Sequence, residues 1–253
     1  MSLVHFHSVS RTFGAVTALH PLDLEVRLGE VFGLLGSNGA GKTTALRILC
    51  GLLEPSSGRV TIDGRDVAED PLAARRQFSF VPDGAPLYAN LSPKQHLALV
   101  GRLHGVDEGR IASESRRLLE ALELADRTDD PVGGFSRGMR QKTALACAIL
   151  PRPKLLILDE PLNGLDAPTT AVFKEVLRAW ADRGGTVLYT SHLLDVAERV
   201  CDRVAVLHEG RLLGVGSLDD LRSIAGRDGT LEQVFGAMTH AVDPKSGAAR
   251  ILG

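Results

Sequence analysis

The residues Gly36–Thr44, GSNGAGKTT, fit the pattern G-x-x-x-x-G-K-S/T, and their chemistry is phosphate binding. Gly36, Gly39 and Gly41 let the backbone N–H groups of the loop, Ser37, Asn38 and Ala40 among them, turn inward around anionic oxygens. The helix start that follows adds partial positive charge. Lys42 is placed to reach the β and γ phosphates, and the Thr43 hydroxyl, ahead of Thr44, suits a magnesium ion. A glycine-rich turn with an exposed lysine is the plainer alternative. Context argues against it, because the apolar run Val31–Leu35 precedes the loop and a helical pattern through Ala45, Leu46, Ile48 and Leu49 follows.

An acidic segment belongs with this loop. Leu155–Pro161, LLILDEP, is a buried-strand pattern ending in adjacent carboxylates, at the strand edge where open α/β sheets bind ligands. Asp159 suits a Mg²⁺ site, and Glu160 suits the polarisation of an attacking water. Pro161 is expected to hold Glu160 in extended geometry. Taken alone, the segment also reads as an acidic turn closing a strand.

These groups need a scaffold. The runs Val31–Leu35, Leu155–Leu158, Thr186–Tyr189 and Val204–Leu207 are apolar throughout, as strands of a parallel sheet covered on both faces are. Val4 and Phe6, then Leu22, Leu24 and Val26, alternate as half-buried antiparallel strands do. Between them, His96–His104, Glu114–Leu124 and Arg137–Leu150 carry helical patterns without a convincing strand, so a helical insertion is expected. A further helix begins after Asp166 with Pro168 in its first turn, buries Phe173, Val176, Leu177 and Trp180, and ends at Gly184 and Gly185. The expected organisation is one domain over 1–253, with a core and β subdomain at about 1–83 and 151–211, a helical subdomain at about 84–150 and an extension at about 212–253. The polar tail from Asp243 is expected to be poorly ordered.

Composition narrows the partners. With 44% hydrophobic and 24% charged among 253 residues, the chain is globular rather than disordered or fibrous. Its 29 Lys+Arg against 31 Asp+Glu provide no global positive field for a nucleic-acid backbone or an anionic bilayer. Cys50, Cys147 and Cys201 are too widely spaced for a zinc site and odd in number, which fits a reducing cytosol. Apolar stretches fall well short of the ~20 residues that span a bilayer. The start MSLVHFHSV lacks a basic leader and a long apolar run, so cytoplasmic residence is expected.

With three further motifs, the chain resembles the ATP-binding cassette family over nearly its whole length. Phe135–Met139, FSRGM, is similar to the family's signature motif, with Ser136 standing 23 residues before Asp159. From the residues alone, Ser136 is a helix N-cap and Gly138 permits close approach. Asn163–Asp166, NGLD, is similar to the family's D-loop, and His192, 33 residues after Asp159, matches its switch histidine. Phe13, 29 residues ahead of Lys42, aligns with the aromatic that stacks on adenine, a core phenylalanine being the alternative. Three positions depart from the pattern: Asp83 stands where glutamine is usual, and Arg137 and Met139 replace a glycine and a glutamine of the signature.

The resemblance implies an α/β fold, a P-loop NTPase core with a mainly parallel sheet, an N-terminal antiparallel β subdomain and a helical insertion subdomain. It implies ATP and Mg²⁺ as cofactors, with Thr43, Asp83 and Asp159 toward the metal and Lys42, Glu160 and His192 toward hydrolysis. Ser136, Arg137, Gly138, Met139 and Asp166 are implied to face a nucleotide shared with a second ABC ATPase subunit, in a head-to-tail homodimer or heterodimer. A separate integral-membrane permease and a peripheral place on the cytoplasmic face of the membrane are implied as well. The segments FVPDGAPLYANLSPKQHL, FSRGM and TLEQVF (Thr230–Phe235) are similar to exporter subunits of the ABC-2 type. A soluble ABC-type ATPase acting on ribosomes or DNA is the alternative, with a P-loop kinase behind it; no nucleic-acid partner is expected.

Overall fold

A computed structural model describes residues 1–239, so the tail from Asp243 lies outside the described residues. The chain opens with two long strands, β1 (Ser2–Phe13) and β2 (Val16–Arg27), and continues through β3 (Val31–Leu35) into helix α1 (Lys42–Leu49). Then come β4 (Ser57–Ile62), β5 (Arg65–Asp66), α2 (Pro71–Arg75) and β6 (Phe78–Val81). Three helices, α3 (Pro93–Leu103), α4 (Glu108–Ala121) and α5 (Arg137–Ile149), lie between β6 and β7 (Leu155–Leu158). The remainder is α6 (Ala167–Asp182), β8 (Thr186–Ser191), α7 (Leu194–Val200), β9 (Arg203–His208), β10 (Arg211–Gly216), α8 (Leu218–Ala225) and α9 (Leu231–Met238).

The apolar runs pair side by side. The main sheet has the order β10-β9-β3-β8-β7-β6, parallel except at its β10 edge, and the smaller antiparallel sheet has the order β2-β1-β4-β5. Side chains alternate across a strand, and here both faces are buried. Val31 and Leu35 of β3 join the core beneath α5, α6 and α7, whereas Phe32 and Leu34 join the core shared with α1 and the antiparallel sheet. β7 divides in the same way, Leu156 and Leu158 to the first core and Leu155 and Ile157 to the second. An all-apolar strand is what this double burial requires.

The antiparallel pairing sets Val4 opposite Val26 and Phe6 opposite Leu24. In α6, Phe173 and Leu177 are fully buried, with Val176 and Trp180 packed at the edge of the same core. Leu231 and Val234 of α9 are buried too, so the last described helix docks on the core through the apolar side of TLEQVF.

Candidate active site

Backbone geometry at the end of β3 builds the phosphate loop. Gly39 (φ +81°) and Gly41 (φ +102°) take left-handed conformations, which glycine adopts without steric cost. A Cβ on Gly41 would stand 2.8 Å from the Ala18 carbonyl oxygen of β2, and one on Gly36 would meet the Leu207 carbonyl at 2.5 Å. Gly41 also caps α1, so the loop runs directly into the helix N-terminus. Lys42 is only 6% exposed, and its Nζ donates to the Gly36 carbonyl at 2.7 Å and the Ser37 carbonyl at 3.3 Å.

The parallel sheet brings distant carboxylates to this loop. A cleft of about 560 Å³ is lined by Ser37–Thr44 together with Ala18, Asp83, Asp159, Glu160, Asn163 and His192. Glu160 Oε1 lies 3.3 Å from Lys42 Nζ, and Glu160 Oε2 lies 2.8 Å from His192 Nδ1. The Thr43 hydroxyl donates to Asp159 Oδ2 at 3.4 Å. Burial pushes the Asp159 carboxyl above the usual aspartate range, the Thr190 hydroxyl bond opposing the shift and the Glu160 charge adding to it.

Thr190 is the site residue that sequence reading missed. Its hydroxyl donates to Asp159 Oδ1 at 2.6 Å and accepts the Glu160 N–H at 2.9 Å, which ties the two carboxylate residues to β8. The available signal was a fully buried polar residue in an apolar run two positions before His192. The expectation of an extended Glu160 is corrected. Its φ is +47°, because the chain turns sharply out of β7 while its N–H is held by Thr190.

The signature residues stand apart from the cleft lining. Ser136 is exposed and caps α5, its hydroxyl accepting the Met139 N–H at 3.2 Å. A Cβ on Gly138 would come within ordinary contact distance of Thr169 on α6, and Met139 packs at the core edge. Arg137 turns back toward its own chain, with Nη2 3.5 Å from Asp83 Oδ1 and with Nε where a Cβ on Gly164 would meet it at 3.3 Å. Asp166 caps α6 by accepting the Thr169 N–H at 2.8 Å. Phe13 is 46% exposed at the turn between β1 and β2 and is not among the cleft-lining residues.

The family model described as ABC transporter matches residues 19–163. The chain is 36% identical over 207 residues to the ABC transporter ATP-binding protein NatA of Bacillus subtilis (strain 168), spanning 81% of this chain and 84% of that one. It is 38% identical over 218 residues to the daunorubicin resistance ATP-binding protein DrrA3 of Streptomyces coeruleorubidus, spanning 86% and 69%. A solved structure of the ATP-binding subunit of an ABC transporter superposes with a TM-score of 0.88 at 34% identity, covering 94% of this chain and 99% of that one. A nucleotide-free ATP-binding cassette at 20% identity and TM-score 0.78 shares the fold. With a family model over residues 19–163 and relatives of this identity and coverage, the chain belongs to the ABC transporter family as one of its ATP-binding, ATP-hydrolysing proteins.

Proposed function

We propose that the chain is the ATP-hydrolysing subunit of an ABC-2-type exporter, working through a separate membrane permease. The observation that carries this reading is the convergence of Lys42, Asp159, Glu160 and His192 on one cleft. Glu160 acts as the general base, accepting a proton from the water that attacks the γ phosphorus as the bond to the bridging β–γ oxygen breaks. Both its oxygens are engaged by side chains of this chain, one by Lys42 and one by His192. An arriving triphosphate draws Lys42 to itself, which frees one oxygen for the water, while His192 keeps the other oriented.

Thr43, Asp159 and Asp83 would hold Mg²⁺. The fit is chemical: all three offer hard oxygen donors lining one cleft. Among the described residues no group of three His, Cys, Asp or Glu side chains can hold a metal alone, as befits an ion that keeps waters and phosphate oxygens. When bound, the ion neutralises charge developing on the phosphates.

Ser136 and Gly138, exposed or half-exposed at a helix N-terminus outside the cleft, suit contact with the nucleotide of a second ABC ATPase subunit, so that two copies close head to tail on ATP. No helix among the described residues is long and apolar enough to cross a membrane, which leaves the pathway to a partner. A groove of about 870 Å³ between the core and the helical subdomain, lined by Phe80, Pro86, Val100 and Leu103 among others, supports docking of that permease. Exposed Leu72, Tyr88 and Leu103 lie in or beside it. The chain would then sit on the cytoplasmic face of the membrane. Relatives named for daunorubicin resistance and for Nod factor export support outward transport.

The reading is tested in proteoliposomes containing the chain and the membrane protein that co-purifies with it. Glu160→Gln is expected to slow turnover by about 10²–10⁴-fold while ATP stays bound, and to stop export. Undiminished hydrolysis rejects Glu160 as the base, and ATP hydrolysis without flux of any solute rejects the exporter.

A further inference from the structure

We infer that Arg11 is a positioning residue for the nucleotide base, holding Phe13 as a stacking platform with one face backed and the other open. The inference rests on the ATP-binding reading and on the base-stacking role that the family resemblance implies for Phe13, and it adds a residue that no motif marks. The Arg11 guanidinium carbon lies 4.5 Å from the centroid of the Phe13 ring. The same guanidinium donates through Nη1 to the Glu54 carbonyl at 2.9 Å. Glu54 belongs to the segment that follows α1, the helix opened by Lys42, so Arg11 ties the exposed ring to the far end of the phosphate-binding helix. The adjoining backbone is tied to the same segment, with the Thr12 N–H donating to Ser56 Oγ at 3.1 Å. On the other side of the turn, Ala18 lines the cleft beside Gly41. The platform is thus held at one end by the segment after α1 and runs at the other into the strand that lines the cleft.

The chemistry suits arginine. A guanidinium is planar, permanently charged and weakly hydrated, so it stacks on an aromatic face where an ammonium stays in water. Arg11 Nε is buried without a hydrogen-bond partner, an unmet donor that lies in the group stacked on the ring. Positive charge behind the ring offsets the repulsion between its π face and that of an incoming base. The ligand assigned to the open face is an electron-rich purine carried on a triphosphate.

The test compares affinities of the full chain for MgATP and for magnesium tripolyphosphate, which has the phosphates and no base. Phe13→Ala is expected to weaken MgATP binding about tenfold, and Arg11→Met about two- to fivefold, neither changing tripolyphosphate affinity. Arg11→Lys should recover part of the loss, and Arg11→Met added to Phe13→Ala should cost nothing further. Loss on Phe13→Ala with none on Arg11→Met overturns the role of Arg11 alone. No loss on Phe13→Ala overturns the platform and this inference together. An equal loss for both ligands on Arg11→Met, or a loss that persists without Phe13, makes Arg11 a support of the fold and overturns the inference.

Discussion

Glu160 Oε2 stands 2.8 Å from His192 Nδ1, an ion-pair geometry made between the loop after β7 and the end of β8. Glu160 pays for that position with a left-handed backbone, φ +47°, a conformation that costs a non-glycine residue on the order of 1–3 kcal/mol. Such strain persists only where neighbours enforce it, and here Thr190 and Lys42 do so.

Thr190→Val keeps the shape of the side chain and removes the hydroxyl that serves both Asp159 and the Glu160 N–H. Two buried polar groups lose a partner, so stability should fall by about 1–3 kcal/mol. Turnover should fall with little change in KM, and Thr190→Ser should restore both. Denaturant titration and steady-state kinetics check this; a fully active, equally stable valine variant would remove Thr190 from the site.

Asp159 is buried and its carboxyl is raised above the ordinary range chiefly by that burial. A raised carboxyl favours folding while it is protonated, below the ordinary aspartate value of 3.8, and that contribution disappears as pH climbs through the folded-state value. At neutral pH the ionised group is therefore a standing cost. Asp159→Asn should raise the Tm of the nucleotide-free chain by a few degrees, roughly 2–4 °C per kcal/mol relieved, while abolishing Mg²⁺-dependent hydrolysis. The Tm gap should narrow as pH is lowered toward the raised folded-state value in thermal scans.

Asp83 and Arg137, two departures from the family pattern, meet each other at 3.5 Å with both side chains about half exposed. Exposed pairs contribute about 0.2–1 kcal/mol at most, so Asp83→Gln should hardly move the Tm. Removing a negative charge from the phosphate cleft should instead relax the Mg²⁺ requirement. Equilibrium titration of ATP in chelator and in excess Mg²⁺ should show a smaller ratio of affinities for the variant than for the wild type.

The cysteines are unreactive by burial. Desolvation pushes Cys147 and Cys201 up to about 12 and raises Cys50 as well, so almost no thiolate is present at pH 8. A thiol reagent should label the native chain far more slowly than the unfolded chain, which should yield three equivalents, matching Cys50, Cys147 and Cys201.

Much of the site was legible because its parts are contiguous. Gly36–Thr44 carries its own conformational instructions, left-handed glycines followed by a helix start, and the all-apolar runs announce strands buried on both faces. Ser136 was readable as a cap and the helix after Asp166 by its Pro168, since a cap or a first turn joins residues only a few positions apart. What only the tertiary structure decided joins residues far apart in the chain. The β7–β8 register sets Leu158 opposite Tyr189 and thereby delivers the Thr190 hydroxyl to the Asp159 carboxylate and the Glu160 N–H. Glu160 leaves the extended conformation that Pro161 suggested, and Arg137 meets Asp83, 54 positions before it in the chain. Local pattern encodes which face of an element is buried; which elements become neighbours, and hence which polar atoms find each other, is settled by packing the whole sheet.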